Sequence, residues 1–421
     1  MHTQHAKKKT ILVGQSGGPT AAINASLAGV YETAHACGAH TLGMRYGIEG
    51  FMRGGVVDLD QRLADPLSVE LLERTPSSYL GSCRYKLKPH TQDPEPYHIL
   101  FERFEDFGIY AVLYIGGNDS MDTIAKLSAY GEEVGSDVRF IGIPKTIDND
   151  LVLTDHTPGY GSAAKYIAAS MSEIVRDSSV YDLKSATFVE IMGRDAGWLA
   201  GASCLAESSG VATPDLCLLP EVTLDTDAML NVIAHVLEVK NTAVIAVSEG
   251  VRNASGELVC ATTQDAADGT RLDAFGHVAS LSGTGRFLAS LTRNRLGCKT
   301  RAVELSTLQR CASHMASSTD LHEAHALGGA GVLAALDGMT GKMTALVRAS
   351  DVPYLVETAL VDVQEVANKE RKVPRSFIRS DGMGVTPLFE RYARPLISGE
   401  ISPIMAGGVP RHIEPLGGGL A

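Results

Sequence analysis

Short apolar runs recur along the chain, and each ends in glycine or in a cluster of polar and charged residues. Thr10 to Val13 leads into Gly14-Gln15-Ser16-Gly17-Gly18, Tyr110 to Ile115 into Gly116-Gly117-Asn118-Asp119, and Phe140 to Ile143 into Pro144-Lys145. The pattern continues with Ala186 to Ile191 before Met192-Gly193-Arg194, Cys217 to Leu219 before Pro220-Glu221, and Ala243 to Val247 before Ser248-Glu249-Gly250. Runs this short, without clean alternation, predict strands buried on both faces of a parallel sheet. Helical spacing fills the intervals. Ala21 to Ala36 follows Pro19-Thr20, Ser120 to Tyr130 opens on a residue suited to an N-cap, and Ser162 to Asp177 repeats Ala, Ile and Met on one face. Strand alternating with helix predicts an α/β fold with mostly parallel sheets. Ligands in such folds bind beyond the carboxyl ends of the strands, where every polar cluster above falls.

Composition adds limits. A chain of 421 residues exceeds what one hydrophobic core usually supports, so two lobes are expected. A net charge of -12 argues against broad binding to nucleic acid or an anionic membrane, so any phosphate chemistry falls to a few local cations and backbone amides. No apolar run approaches the roughly 18 residues of a membrane helix. Lys7-Lys8-Lys9 leads directly into Ile11-Leu12-Val13, too short a stretch for a signal peptide, which points to a cytoplasmic protein. The seven cysteines are scattered without a C-x-x-C pair and read as reduced thiols. No dinucleotide fingerprint follows the first strand. Gly338 to Met343 fails as a P-loop on spacing and on Met343, and His322 and His325 lack the spacing of a zinc-protease helix.

Four clusters carry candidate chemistry. Gly17-Gly18 before a helix lets backbone N–H groups approach a phosphate, and equally forms a tight turn. Gly116-Gly117-Asn118-Asp119-Ser120 repeats that arrangement with oxygen ligands suited to Mg²⁺, or supplies an N-cap at Asp119 or Ser120. Pro144-Lys145-Thr146-Ile147-Asp148-Asn149-Asp150 is either an acidic turn or a phosphoryl-transfer loop, with Asp148 as base, Asn118 and Asp150 at a metal, and Lys145 on the moving group. Arg84, Arg194, Arg301 and Arg310 suit phosphate oxygens, and suit surface ion pairs as well.

Together, in this order and spacing, these pieces resemble the phosphofructokinase family over nearly the whole chain. The resemblance rests on Ser16-Gly17-Gly18 with Asn24, Gly81-Ser82-Cys83-Arg84, Gly116 to Ser120, Thr146 to Asp150, Met192-Gly193-Arg194, Ser248-Glu249-Gly250, and Thr300-Arg301 through Gln309-Arg310. It implies that Asp148 is the base for the 1-hydroxyl of fructose 6-phosphate, with Thr146 and Ile147 lining that substrate. It implies sugar contacts at Met192, Gly193, Arg194 and Glu249. Arg301 and Arg310 fall at the 6-phosphate clamp, Arg301 reaching in from a neighbouring subunit, and Thr307 stands where relatives often carry His or Tyr. Gly17, Gly18 and Arg84 fall at the donor phosphates, and Asn118, Asp119 and Asp150 at the Mg²⁺. ATP-dependent members resemble G-G-D-G-S and P-G-T-I-D-N-D at the two central loops; here Asp119 and Lys145 replace the glycines and fill the space of an ATP α-phosphate. That is steric exclusion with charge compensation, and it favours the pyrophosphate-dependent branch. Ser185, with Lys184 beside it, stands where ATP-dependent relatives place an arginine.

The resemblance further implies two Rossmann-like lobes: a donor lobe of 8–160 with 310–375 returning to it, and a sugar-phosphate lobe of 161–309 with 376–421. It implies a homo-oligomer, dimer or tetramer. The rival readings are an ATP-dependent kinase of the same family and a non-catalytic regulatory subunit; the presence of both Asp148 and Arg194 counts against the latter.

Overall fold

The structure, a computed structural model, describes residues 8–180, 182–209, 214–259 and 282–417. The apolar runs form two sheets. The first contains β1 (Thr10–Gln15), β2 (His40–Met44), β3 (Val56–Asp58), β4 (Ile109–Gly116) and β5 (Arg139–Pro144). The second contains β6 (Ser185–Ile191), β7 (Leu216–Leu218), β8 (Thr242–Ser248) and β9 (Lys299–Glu304). The chain then returns to the first sheet with β10 (Lys342–Asp351) and β11 (Tyr354–Asp362), giving the order β11-β10-β5-β4-β1-β2-β3. The second sheet runs β7-β8-β6-β9 and is parallel throughout. In the first sheet only the outermost pairs, β10 with β11 and β2 with β3, are antiparallel among the described strands. The α/β expectation with mostly parallel sheets therefore holds. Strands β1, β7 and β8 are buried at every position, as expected for sheets covered by helices on both faces.

Cores lie on both sides of each sheet. Ile11, Val13 and Leu113 face one side of the first sheet, and Leu12, Val112 and Tyr114 the other. The helix Ser318–Leu336 crosses the helix Ile23–Ala36 with almost no side chain between them. A Cβ added at Gly29 would stand 2.0 Å from the His325 carbonyl oxygen, and one at Gly328 would stand 2.2 Å from that of Ser26. Glycine is required at both because the backbones themselves touch.

The C-terminal stretch expected to join the sugar-phosphate lobe divides. Phe389, Ala393 and Leu396 pack into the second lobe's core, whereas Ile413 and Leu416 lie against that of the first. Among the described residues no helix is long and apolar enough to cross a membrane.

Both sheets have a point where strand order reverses. In the first, β1 has β2 on one side and β4 on the other; in the second, β6 lies between β8 and β9. Loops leaving the two sides of such a point diverge and open a crevice. The two crevices face each other across one cleft.

Candidate active site

The cleft holds a cavity of about 920 Å³. The wall expected to hold the donor is built from the loops after β1, β4 and β5, with Arg84 and Lys86 from the segment before β4. Ser16, Gly17 and Gly18 line it with backbone, Gly17 in the left-handed region at φ +75°. The carbonyls of this turn are held from behind. The Lys145 ammonium donates to Ser16 O at 2.9 Å and Gly18 O at 2.6 Å, and the Ser82 hydroxyl donates to Gly17 O at 2.7 Å. Lys145 is fully buried. Burial lowers its pKa to about 8, against the pull of Asp148. Its charge thus fixes the glycine turn while standing directly beneath the donor pocket.

The helix after β4 begins at Asn118 with Gly117 in the cap position, so neither Asp119 nor Ser120 is the N-cap. Asp119 instead faces the cavity from the first helical turn. Asn118 lines the cavity too, but both ends of its amide are engaged. It donates to Lys369 O at 2.7 Å and accepts from Asn368 N at 2.5 Å. The expected metal-side amide is thereby a clip for a distant segment.

Asp148 stands at the cavity floor. The Thr146 hydroxyl accepts from its backbone N–H at 3.1 Å and points at the carboxylate from 3.5 Å. Burial raises its pKa, opposed by the Arg194 guanidinium, the Lys145 ammonium and the Thr146 hydroxyl. Asp150 is pushed up to about 7, first by burial and then by Asp148 and Glu370. Burial and mutual repulsion disfavour ionising these crowded carboxyls together, and a cation close by would offset that. Among the described residues no three His, Cys, Asp or Glu side chains gather as a metal site. Asp119 and Asp150 both face the cavity and offer the oxygen ligands that a hard divalent cation takes.

The opposite wall, expected to hold the sugar phosphate, comes from the second sheet. Met192 and Arg194 line the cavity after β6, Glu249 after β8, and Thr307, Gln309 and Arg310 after β9. Gly193 stays behind them with φ +135°, its N–H donating to Glu249 Oε1 at 3.3 Å. Ser248 Oγ donates to Gly193 O, and Gln309 Oε1 accepts from Met192 N at 3.0 Å, so the three loops brace one another. Burial lifts Glu249 to about 7, helped by the charges of Asp148 and Glu190. Arg301 does not reach this cavity. It lies half-exposed in β9 and pairs with Asp177 at 3.4 Å, beside Ser185 and Lys299.

Several cavity residues were not expected from the motifs. Glu190 and Glu304 sit in strands and carry no loop signature, and Lys86 follows Arg84 by two positions. Asn368 and Glu370 come from a stretch far from any motif.

The loop after Asp148 is anchored by a buried ion network. His156 is fully buried between Asp155 at 2.8 Å and Glu323 at 2.6 Å, and Arg348 holds Asp155 at 2.8 Å. Burial works to lower the His156 pKa, but the Glu323 and Asp155 carboxylates outweigh it and hold it at about 9. A pKa raised above the ordinary 6.5 stabilises the fold fully below pH 6.5 and loses that effect as pH climbs through about 9. His156→Gln therefore costs about 3 kcal/mol near pH 6 and much less near pH 10. Thermal unfolding of both proteins across that range measures the difference, and a gap independent of pH would mean that His156 is neutral.

The Phosphofructokinase family model matches residues 10–335. A pyrophosphate--fructose 6-phosphate 1-phosphotransferase of Xanthomonas campestris pv. campestris is 41% identical over 96% of this chain and 95% of its own. One of the same name from Methylococcus capsulatus is 42% identical over 95% and 94%. The crystal structure of a pyrophosphate-dependent phosphofructokinase from Nitrosospira multiformis superimposes with a TM-score of 0.85 at 35% identity, covering 96% of this chain and 95% of that one. The chain belongs to the phosphofructokinase family.

Proposed function

We propose that the protein transfers a phosphoryl group reversibly from pyrophosphate to the 1-hydroxyl of fructose 6-phosphate, giving fructose 1,6-bisphosphate and phosphate. The observation that carries the donor assignment is Lys145, whose buried ammonium fixes Ser16 and Gly18 and fills the space beneath the donor turn. The relatives named above carry the same activity in their names.

In this reading, the sugar lies against Met192, Arg194 and Glu249, its hydroxyls held by Glu249 and its 6-phosphate by Arg310, with Thr307 alongside. Arg301 serves the corresponding site of a neighbouring copy in a homo-oligomer, which agrees with its position outside its own cavity. Thr146 and Ile147 place the 1-hydroxyl at Asp148. Asp148 takes the hydroxyl proton, the oxygen forms a bond to the near phosphorus, and the bond to the bridging oxygen breaks, releasing phosphate. Arg84, Lys145 and the Gly17-Gly18 backbone offset the charge on the donor. Mg²⁺, held by Asp119 and Asp150 with Asn118 nearby, would neutralise pyrophosphate oxygens. The transfer needs little covalent chemistry from the protein, and positioning supplies most of the rate. The site is that of an enzyme working on small phosphates in the cytoplasm, with no part for nucleic acid or membrane.

A coupled assay with each donor tests the reading. Turnover is expected with pyrophosphate and not with ATP. Activity with ATP alone would make the chain an ATP-dependent kinase, and inactivity with both would revive the regulatory-subunit reading.

A further inference from the structure

Residues 368–373 lie beyond the segment matched by the family model, and they run across the junction of the two lobes. Their backbone and side chains tie together three loops of the site. At the donor end, Asn118 grips both Asn368 N and Lys369 O, while the Asn368 side chain donates to Asp122 at 3.0 Å. In the middle, Arg371 N donates to Asp150 O at 2.7 Å. Its guanidinium donates to three further carbonyls of the same loop: Thr154 at 3.0 Å, Asp155 at 2.6 Å and Asn149 at 3.1 Å. At the sugar end, Trp198 Nε1 donates to Arg371 O at 3.1 Å, and Glu221 accepts from both Val373 N and Gly197 N at 2.9 Å.

The loop so gripped needs an external hold. Asn149, directly after Asp148, has φ +54°, a conformation that costs an L-residue about 1 kcal/mol. It persists because its side chain is fixed at both ends: Oδ1 accepts from Thr157 N at 3.0 Å and Nδ2 donates to Tyr392 Oη at 2.9 Å. The Tyr392 hydroxyl also accepts from Arg371 at 3.2 Å and donates to Asp155 O at 2.8 Å. The Arg371 guanidinium lies over the Trp198 ring with 4.9 Å to its centroid, so the same side chain that orients the base loop rests on the wall of the sugar lobe.

We infer that Arg371 is a positioning residue for the phosphoryl transfer, the bolt of an interlobe strap that sets Asp148 against both substrates at once. It does not line the cavity and acts through the backbone of 149–155. A planar fork with several donors is needed to serve those divergent carbonyls; an ammonium on a flexible stem is not equivalent. The inference rests on the reaction proposed above.

The test uses the full chain. Arg371→Lys is expected to lower kcat by about 100-fold with both KM values within about threefold, since a shift of about 1 Å in a catalytic group costs that much. Arg371→Ala is expected to recover activity with added guanidinium but not with ammonium at equal ionic strength. Tyr392→Phe, which keeps the ring and removes the hydroxyl, is expected to lower kcat in the same sense and by less. Amide exchange in 148–157 is expected to quicken in all three variants. A kcat for Arg371→Lys within twofold of the parent, or unchanged exchange in that loop, would overturn the inference. An inactive parent would overturn the proposed reaction instead, and the exchange measurement would still decide the strap.

Discussion

Asp148→Asn lowers kcat by about 1000-fold or more in both directions, the upper part of the range for losing a general base, while KM for fructose 6-phosphate stays within about threefold. The asparagine is nearly isosteric, so the turn that the Asp148 N–H makes with the Thr146 hydroxyl survives. What disappears is the carboxylate proposed to accept the hydroxyl proton, and in the reverse direction its donor. In the proposed reaction the sugar is bound by other side chains, Arg194, Glu249 and Arg310, which line the same cavity. The pH profile carries a second signature. Burial raises the Asp148 pKa, so the acidic limb of kcat/KM lies above the ordinary carboxylate range, and protonation below it removes the base. That limb changes in the Asn variant. A kcat within tenfold of the parent would move the base to Asp150, whose carboxyl also faces the cavity. Direct binding of fructose 6-phosphate by calorimetry separates loss of chemistry from loss of substrate.

What the sequence revealed, and what it hid, follows from range. Strands β1, β4, β5, β6 and β8 were legible because each is a short apolar run ending in a polar cluster, and the loops carrying Gly17, Asp119, Asp148, Arg194 and Glu249 were legible for the same reason. Their convergence on one cavity follows from parallel strands whose carboxyl ends share a side of the sheet. Contacts between residues far apart in the chain left no local trace. Asn118 lies at a motif position and looked like a metal ligand, yet its amide is bonded to residues about 250 positions away. Arg371 sits in a polar stretch, Asn368 to Lys372, that belongs to none of the motifs. Glu190 is hidden differently: it is a carboxylate inside an apolar strand, satisfied by the N–H groups of Gly283 and Gly285 at a helix start. Ser120 looked like a cap because it precedes an apolar pattern, but the preceding Gly117 already takes that place.

The site also divides its charges by purpose. Lys145 is buried and bonded to backbone, whereas Arg84 and Lys86 line the open part of the donor pocket. A buried ammonium bonded to two carbonyls is a fixed element of the wall, and its position does not depend on which donor arrives. Asp119 stands on the first turn of its helix, where the helix dipole favours an anion. In the proposed reaction the two side chains would narrow the space behind the phosphates of the donor.

Replacing both by glycine, Asp119→Gly with Lys145→Gly, is therefore expected to reverse the donor preference. Pyrophosphate kcat/KM falls by about 1000-fold, because the variant loses a pre-placed cation worth several kcal/mol to the moving phosphoryl group and also loses the hold on Ser16 and Gly18. ATP turnover rises from none to a measurable rate as the two side chains vacate its path. Lys145→Gly alone is expected to cost pyrophosphate activity without matching the gain with ATP, since Asp119 still narrows the site. The parent enzyme provides an independent check through pH. Burial brings the Lys145 pKa down to about 8, so in the free enzyme the cation is present below that pH and lost above it. Pyrophosphate kcat/KM accordingly falls on an alkaline limb near 8, and that limb is absent from the glycine variants. A double variant that loses pyrophosphate turnover and gains none with ATP would remove the steric half of the explanation and leave the charge half standing. One that keeps the alkaline limb would show that the titrating group is not Lys145.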